Sequence, residues 1–313
     1  MKIAVVGVGA MGSVYAGLLA AAGNEVWALD VWAEHIEAIR STGLRVEGAS
    51  GDRVVRIDAT TDPTDVGAAE LVVIATKAMD VETAARGARH LLDGETVVLT
   101  IQNGVGSAER VAPILGADRV VIGVAGGFGA SIVAPGHVHH HGLEQLRFAE
   151  LEGPPTPRID RIAEVWRGAG FNVTTSEDAD RLIWEKLICN VGFSGTCALL
   201  ERTVGEVISD RAAWWVAARC AEEAFVVARA RGISLAIDDV PSYVRAFGEK
   251  IPGARPSMLL DLLAGRRCEV DVINGAIPAL ARELGLQAPV NETVTALVKA
   301  KEARLLAVGA GRA

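Results

Sequence analysis

Residues 3–12 read Ile-Ala-Val-Val-Gly-Val-Gly-Ala-Met-Gly, an apolar run that passes straight into Gly7-x-Gly9-x-x-Gly12. A stretch without charge continues to Gly23, and Glu25–Leu29 then ends on Asp30. This order predicts a strand, a tight glycine turn, a helix and a second strand. The three glycines have separate jobs in such a turn: Gly7 permits the sharp bend, Gly9 lets the backbone approach a pyrophosphate, and Gly12 lets helix and strand pack closely. The helix N-terminus adds unpaired amides and partial positive charge for an anionic ligand. Gly7, Gly9, Ala10, Met11 and Gly12 are therefore the candidate dinucleotide contacts, with Asp30 as the candidate ribose partner.

The uncharged run 3–23 also has the length of a membrane span or signal peptide. Three glycines within its first ten positions and a single Lys before it speak against both, and no later run is comparable. The chain is expected to be soluble and cytoplasmic. At 313 residues it suits two domains. The net charge of −8 gives no basic footprint for nucleic acid or an anionic membrane, so an anionic substrate would need local positive charge inside its site. Cys189, Cys197, Cys220 and Cys268 form no CxxC pair and read as reduced, mostly buried thiols.

The first half alternates β-rich runs with helical segments. Candidate strands are Ile3–Val6, Glu25–Leu29, Val54–Ile57, Leu71–Ala75, Thr96–Thr100 and Val120–Val124. Continuous Val/Ile runs suit strands covered on both faces, hence a parallel sheet flanked by helices. Ser131–Phe148 alternates instead and predicts a β excursion at one edge of that sheet. Arg158–Ala169 reads as a helix and Asn172–Thr174 as the closing strand. Beyond about Glu177 the periodicity is helical throughout, over Asp178–Leu200, Asp210–Arg231 and Glu269–Leu284. The fold class expected is α/β: a doubly wound parallel sheet over 1–176, followed by an all-helical domain over 177–313. Tryptophans 166, 184, 214 and 215 are expected to fill the helical core and the domain junction.

Ligands of open α/β sheets sit beyond the carboxyl ends of the strands. Thr76-Lys77 and Gln102-Asn103-Gly104 both follow candidate strands and would converge there with the glycine turn. In the next segment, Trp184-Glu185-Lys186-Leu187-Ile188-Cys189-Asn190 puts Lys186 and Asn190 on one helix face, with Ser194 a turn further on. Apolar neighbours would desolvate Lys186 and lower its pKa, which suits proton donation; a Lys that snorkels to water is the alternative. Glu269, Val272, Ile273 and Ala276 would share a helix face, so Glu269 points into apolar company and needs a cation: Lys186, Arg266 or Arg267. His137, His139 and His141 share a face of an alternating strand and could hold a divalent ion. No acidic or cysteine partner stands beside them at a recognised spacing, and no metal is expected.

In order and spacing these motifs resemble the ketopantoate reductase (2-dehydropantoate 2-reductase) family. The resemblance rests on the glycine turn, Thr76-Lys77-Ala78, Gln102-Asn103-Gly104, Trp184-x-Lys186-x-x-x-Asn190, and Ser257-Met258 followed by Glu269-x-Asp271-x-x-Asn274-Gly275. It implies an N-terminal Rossmann domain, a helical C-terminal domain, a substrate cleft between them, and a place in pantothenate biosynthesis. It further implies NAD(P)H as hydride source and Lys186 as the general acid that protonates the carbonyl oxygen of a branched 2-keto acid. Glu269 would pair with that Lys or hydrogen-bond the substrate. Asn190, Ser194 and Ser257 would hold substrate, while Lys77 and Asn103 would line cofactor and cleft.

Two positions depart from the family pattern. Ser194 stands where a second Asn is frequent. Asp30 stands where members preferring NADPH tend to carry a basic or neutral side chain, so Asp30 favours NADH while family habit favours NADPH; Arg40 follows ten residues on. An NAD-dependent D-2-hydroxyacid dehydrogenase on the same scaffold fits both departures. A non-catalytic dinucleotide sensor is the alternative of another class. A homodimer is compatible with the chain; nucleic acid and membrane partners are not expected.

Overall fold

The computed structural model describes residues 1–127, 129–142 and 145–310. By internal contact the chain falls into two units: Met1–Gln102 with Gly106–Leu182, and Asn103–Val105 with the residues from Ile183 onward.

The first unit runs β1 (Lys2–Val6), α1 (Ala10–Ala21), β2 (Glu25–Leu29), α2 (Ala33–Thr42), β3 (Leu44–Gly48), β4 (Arg53–Val55), β5 (Asp58–Thr60), β6 (Leu71–Ile74), α3 (Val81–Ala88), β7 (Val97–Thr100), α4 (Ser107–Leu115), β8 (Val120–Gly126), β9 (Gly129–Ala134), β10 (His137–Gly142), β11 (Gln145–Glu150), α5 (Pro157–Gly168) and β12 (Val173–Ser176). Its main sheet has the order β12-β11-β8-β7-β6-β1-β2-β5. All neighbours pair in parallel except β11 with β8. The chain leaves β1 towards β2 on one side and returns to β6 on the other. That reversal opens a crevice at the carboxyl ends of β1 and β6.

The uncharged run of the N-terminus is explained by what covers it. Every residue of α1 from Gly12 to Leu19 is buried. One side of the helix packs against β1 and β2, and the other against β3, β4, β9 and β10. A helix apolar all round needs such double cover. The expected edge excursion is therefore corrected. β9 and β10 leave the main sheet and join β3 and β4 in a second sheet ordered β4-β3-β10-β9, while β11 inserts between β8 and β12. Of the expected strand Val54–Ile57 only Val54 and Val55 are extended, in β4, which pairs with β3 in the second sheet; β5, which pairs with β2 in the first, begins beyond it at Asp58.

The second unit contains α6 (Ala179–Leu200) from Ile183 on, then α7 (Val204–Ser209), α8 (Arg211–Ala230), α9 (Val240–Glu249), α10 (Ser257–Leu263), α11 (Ala276–Glu283) and α12 (Pro289–Ala310). From Leu187 to Ala198 only Asn190 of α6 escapes full burial. The α6 C-terminus is closed by Lys301, whose Nζ donates to the carbonyls of Ala198 at 2.7 Å and Leu199 at 3.3 Å. A cation there satisfies orphan carbonyls and complements the helix dipole.

Two expectations fail here. Glu269–Leu284 is not one helix: a 3-10 turn over Val270–Val272 ends at Ile273 (φ −108°, ψ −95°), and α11 begins only at Ala276. The Val272 carbonyl, which would accept the next helical bond, instead takes the Val105 amide at 3.1 Å. The tryptophans also divide differently. Trp166 fills the core of the first unit, in edge or tilted contact with Tyr15, Phe148 and Phe171, whereas Trp215 on α8 is 56% exposed. Among the described residues no helix is long and apolar enough to cross a membrane.

Candidate active site

Each glycine of the first turn answers to a different neighbour. Gly7 has φ +93°, and a Cβ there would lie 2.6 Å from the Thr76 amide nitrogen. A Cβ on Gly12 would stand 2.0 Å from the Gly7 carbonyl oxygen. Both are therefore demanded by the chain's own packing. A Cβ on Gly9 would meet nothing within 4 Å among the described residues. Gly9 is the N-cap of α1 and supplies no side-chain cap, so the first-turn amides of the helix are left without one. The turn is braced from behind by His35. Its Nδ1 accepts the Gly136 amide at 3.1 Å, so the neutral ring carries its proton on Nε2, 3.1 Å from Ser13 Oγ. Ser13 Oγ in turn donates to the Val8 carbonyl at 2.8 Å.

The other polar signals of this unit lie at the same strand ends. Gln102 donates from Nε2 to the carbonyls of Ile74 at 2.6 Å and Thr76 at 3.2 Å, which fixes the ends of β6 and β7 together. Gln102 Oε1 and Thr76 Oγ1 are buried polar atoms that have no hydrogen-bond partner among the described residues. Lys77 follows Thr76, half-buried. At the end of β2, Asp30 Oδ1 accepts the Trp32 amide at 3.0 Å, and Oδ2 has no donor among the described residues. Arg40 lines a cavity of about 440 Å³ with Trp27, Asp58, Thr60 and Asp65, and the Thr60 carbonyl accepts the Asp30 amide at 3.4 Å. An open N-terminal turn, two orphaned polar atoms and a strand-end carboxylate fit a dinucleotide. Gly7, Gly9, Ala10, Met11 and Gly12 would hold its pyrophosphate and Asp30 its ribose.

In the second unit Lys186 and Asn190 share the predicted face of α6, both half-buried, and Ser194 follows, buried. Lys186 Nζ donates to Asn103 Oδ1 at 2.7 Å, and Asn103 Nδ2 donates to Glu269 Oε2 at a long 3.5 Å. Asn103 therefore stands between ammonium and carboxylate, where the family resemblance implied only that it lines cofactor and cleft. Glu269 is 5% exposed. Its burial was expected, but it arises from the 3-10 turn and not from a helix face. Gly104 (φ +83°) allows the approach that holds Asn103 there, because a Cβ would stand 2.2 Å from the Val272 carbonyl oxygen. Ser257 is exposed at the first position of α10, and Asp271 pairs with Lys299.

The histidine strand does acquire an acidic neighbour, one that linear spacing hides. Glu47 on the parallel strand β3 lies 3.1 Å from His137 Nε2 and 3.4 Å from His139 Nδ1. These hydrogen bonds hold its carboxyl below the usual range, that from His139 most. Arg45 also pairs with Glu47, at 3.1 Å. Among the described residues no group of three or more His, Cys, Asp or Glu could hold a metal ion.

A parallel sheet with a glycine turn at its crevice, joined to a helical unit that presents an ammonium clamped by an amide, defines a dinucleotide-dependent oxidoreductase. Residues 3–153 match the family model described as ketopantoate reductase PanE/ApbA, and residues 178–302 match that of its C-terminal domain. The chain is 33% identical to the 2-dehydropantoate 2-reductase of Halobacterium salinarum, across 96% of this chain and 98% of that one. A PanE/ApbA family ketopantoate reductase from Ralstonia eutropha JMP134 superposes with a TM-score of 0.90 at 34% identity, covering 97% and 99% of the two chains. D-mandelate dehydrogenase, in a ternary structure with NADH and anilino(oxo)acetate, superposes with a TM-score of 0.91 at 28% identity and the same coverage. The chain belongs to the ketopantoate reductase family, and it is accordingly an NAD(P)-dependent reductase.

Proposed function

We propose that the protein reduces the C2 carbonyl of a branched 2-keto acid, of the 2-dehydropantoate type, with Lys186 as general acid. The observation that carries this reading is the 2.7 Å bond from Lys186 Nζ to Asn103 Oδ1, with buried Glu269 on the far side of the same amide. When bound, the nicotinamide cofactor supplies the hydride that adds to C2. The carbonyl π pair then moves onto oxygen, and Lys186 gives that oxygen its proton. The product is the 2-hydroxy acid, and the neutral amine left behind is reprotonated from solvent. An ammonium in this position both stabilises the developing alkoxide and neutralises it. Asn103 fixes the direction of one N–H, and Asn190 and Ser194 continue the same face of α6 towards the substrate. Ser257 completes the proposed substrate contacts, and Lys77 the cofactor's.

The free Oδ2 of Asp30 supports NADH as the preferred donor, since a carboxylate accepts ribose hydroxyls and repels a 2′-phosphate. Ser194, small where the family often has an amide, favours a second reading: a D-2-hydroxyacid dehydrogenase acting on bulkier or aromatic acids. Steady-state assays with 2-dehydropantoate and with phenylglyoxylate, each with NADH and NADPH, decide between the two. Lys186→Ala should lower kcat/KM by roughly two to four orders of magnitude at little-changed cofactor affinity. Wild-type turnover in that variant would sink the acid assignment. Dinucleotide binding without turnover of either acid would point to the non-catalytic sensor.

A further inference from the structure

The turn Glu269–Gly275 is tied to two other segments of the helical unit. Its Val272 carbonyl holds the Asn103–Val105 segment through the Val105 amide at 3.1 Å. Its Asn274 side chain holds α6: Nδ2 donates to the Val191 carbonyl at 2.9 Å and to Asn291 Oδ1 at 3.0 Å. Asn291 Nδ2 donates in turn to the Cys220 carbonyl at 2.9 Å and to Glu223 Oε2 at 2.8 Å. Glu223 also accepts the amides of Val290 and Asn291, both at 2.9 Å, at the start of α12. The orientation of both amides is forced, because a carbonyl or carboxylate can only accept and must face an NH2 group. Asn274 and Asn291 are fully buried, so each unmade bond would leave a desolvated polar group.

Gly195 makes the approach possible, since a Cβ there would lie 2.9 Å from Asn274 Oδ1 and 2.4 Å from Val294 Cγ1. Val191 is five residues beyond Lys186 on the same helix. One turn of chain thus sets the position of Asn103, of Glu269 and, through Asn274, of the helix that carries Lys186. We propose that Asn274 is a positioning residue for the proton donor: its amide fixes α6 so that the Lys186 ammonium meets Asn103 and faces Glu269. This rests on the reading of Lys186 as general acid. Both N–H groups of each amide are used, although Asn274 Oδ1 has no partner among the described residues; donors so engaged in a buried network favour one geometry, which is what a proton donor aimed at one oxygen requires.

The test compares wild type, Asn274→Leu and Lys186→Met in kcat–pH profiles with NADH, on whichever of 2-dehydropantoate and phenylglyoxylate turns over. Asn274→Leu keeps the branched shape at a larger volume and removes both donations. It should lower kcat about tenfold or more and move the alkaline limb to lower pH, because the ammonium loses the groups that favour its charged form. NADH binding, followed by fluorescence titration, should stay unchanged. A folded Asn274→Leu with wild-type kcat and an unmoved limb overturns the proposal. If Asn274→Leu does not fold, Asn291→Ala, which removes the outer support of Asn274 together with its own bonds to the Cys220 carbonyl and Glu223, is read the same way: a smaller shift in the same direction supports the role and an unmoved limb rejects it. Lys186→Met separates the two levels. Loss of its alkaline limb beside an unmoved limb in the Asn variant rejects positioning alone, whereas a limb retained in Lys186→Met rejects the acid assignment beneath it.

Discussion

Asn103 offers its carbonyl oxygen to Lys186 and its amino group to Glu269, so one planar amide ties the two ionisable groups together. Groups linked in this way act as a unit, and their deletions do not add. Lys186→Ala and Glu269→Gln should each lower kcat/KM, and the double variant should be little worse than Lys186→Ala alone. Summed losses in a full double-mutant cycle would place Glu269 in some other role. The second residue-scale expectation concerns Asp30. Two like charges about 4 Å apart at an effective dielectric near 20 repel by about 4 kcal/mol. Even about a quarter of that, after screening, gives roughly fivefold discrimination against a 2′-phosphate. NADH should therefore bind more tightly than NADPH, and Asp30→Ala should narrow the gap. Tighter NADPH binding to the wild-type protein would remove Asp30 from control of the choice.

At the scale of elements, the glycine turn separates packing from ligand binding by position. Gly12→Ala would drive a methyl against the Gly7 carbonyl oxygen, so the strand–helix junction must open and the protein should lose stability. Gly9→Ala meets no protein atom within 4 Å among the described residues. It should melt like wild type and yet bind NADH at least several-fold more weakly, because its methyl occupies space left for the ligand. A calorimetric scan beside a cofactor titration reads both; equal binding by Gly9→Ala would leave that space without its proposed occupant. This turn was legible from sequence because its glycine spacing is local, even though Gly7 also answers to Thr76, far off in sequence. So was the face of α6 with Lys186, Asn190 and Ser194, since helical spacing alone sets it. The Glu269–Gly275 turn was not, because its helix is broken by an amide from Val105 in the other half of the chain. The second sheet escaped for a related reason. A helix that is apolar all round announces that it needs cover, but not which strands supply it.

For the whole molecule, the titrating groups that depart from ordinary behaviour sort by sign into two pH windows. His35, His140 and His141 are all pushed below the ordinary histidine value of 6.5, chiefly by burial. The unfolded chain therefore binds protons first as pH falls, and stability declines below about 6.5. His35 gives that decline a structural target, because a protonated Nδ1 cannot accept the Gly136 amide that braces the glycine turn. Glu47, Asp52, Asp62, Asp93, Glu206, Asp210 and Asp239 are held below the usual carboxylate range, by hydrogen bonds first in each case. Their contribution is present above the unfolded carboxylate value and is lost as pH falls through the folded one, so it adds to the acid-side loss lower down. The thiols act on the other side. Burial pushes Cys189, Cys197 and Cys268 from 9.0 up to about 12 and raises Cys220 and Tyr15 as well. The unfolded chain loses those protons first, so stability declines as pH rises above about 9. Urea unfolding at unit steps from pH 5 to 11 should show a plateau between about 6.5 and 9 with losses on both sides, and His35→Gln should flatten the first part of the acid limb. Stability that keeps rising below pH 6 would contradict the lowered histidines, and stability that holds to pH 11 would contradict the buried thiols.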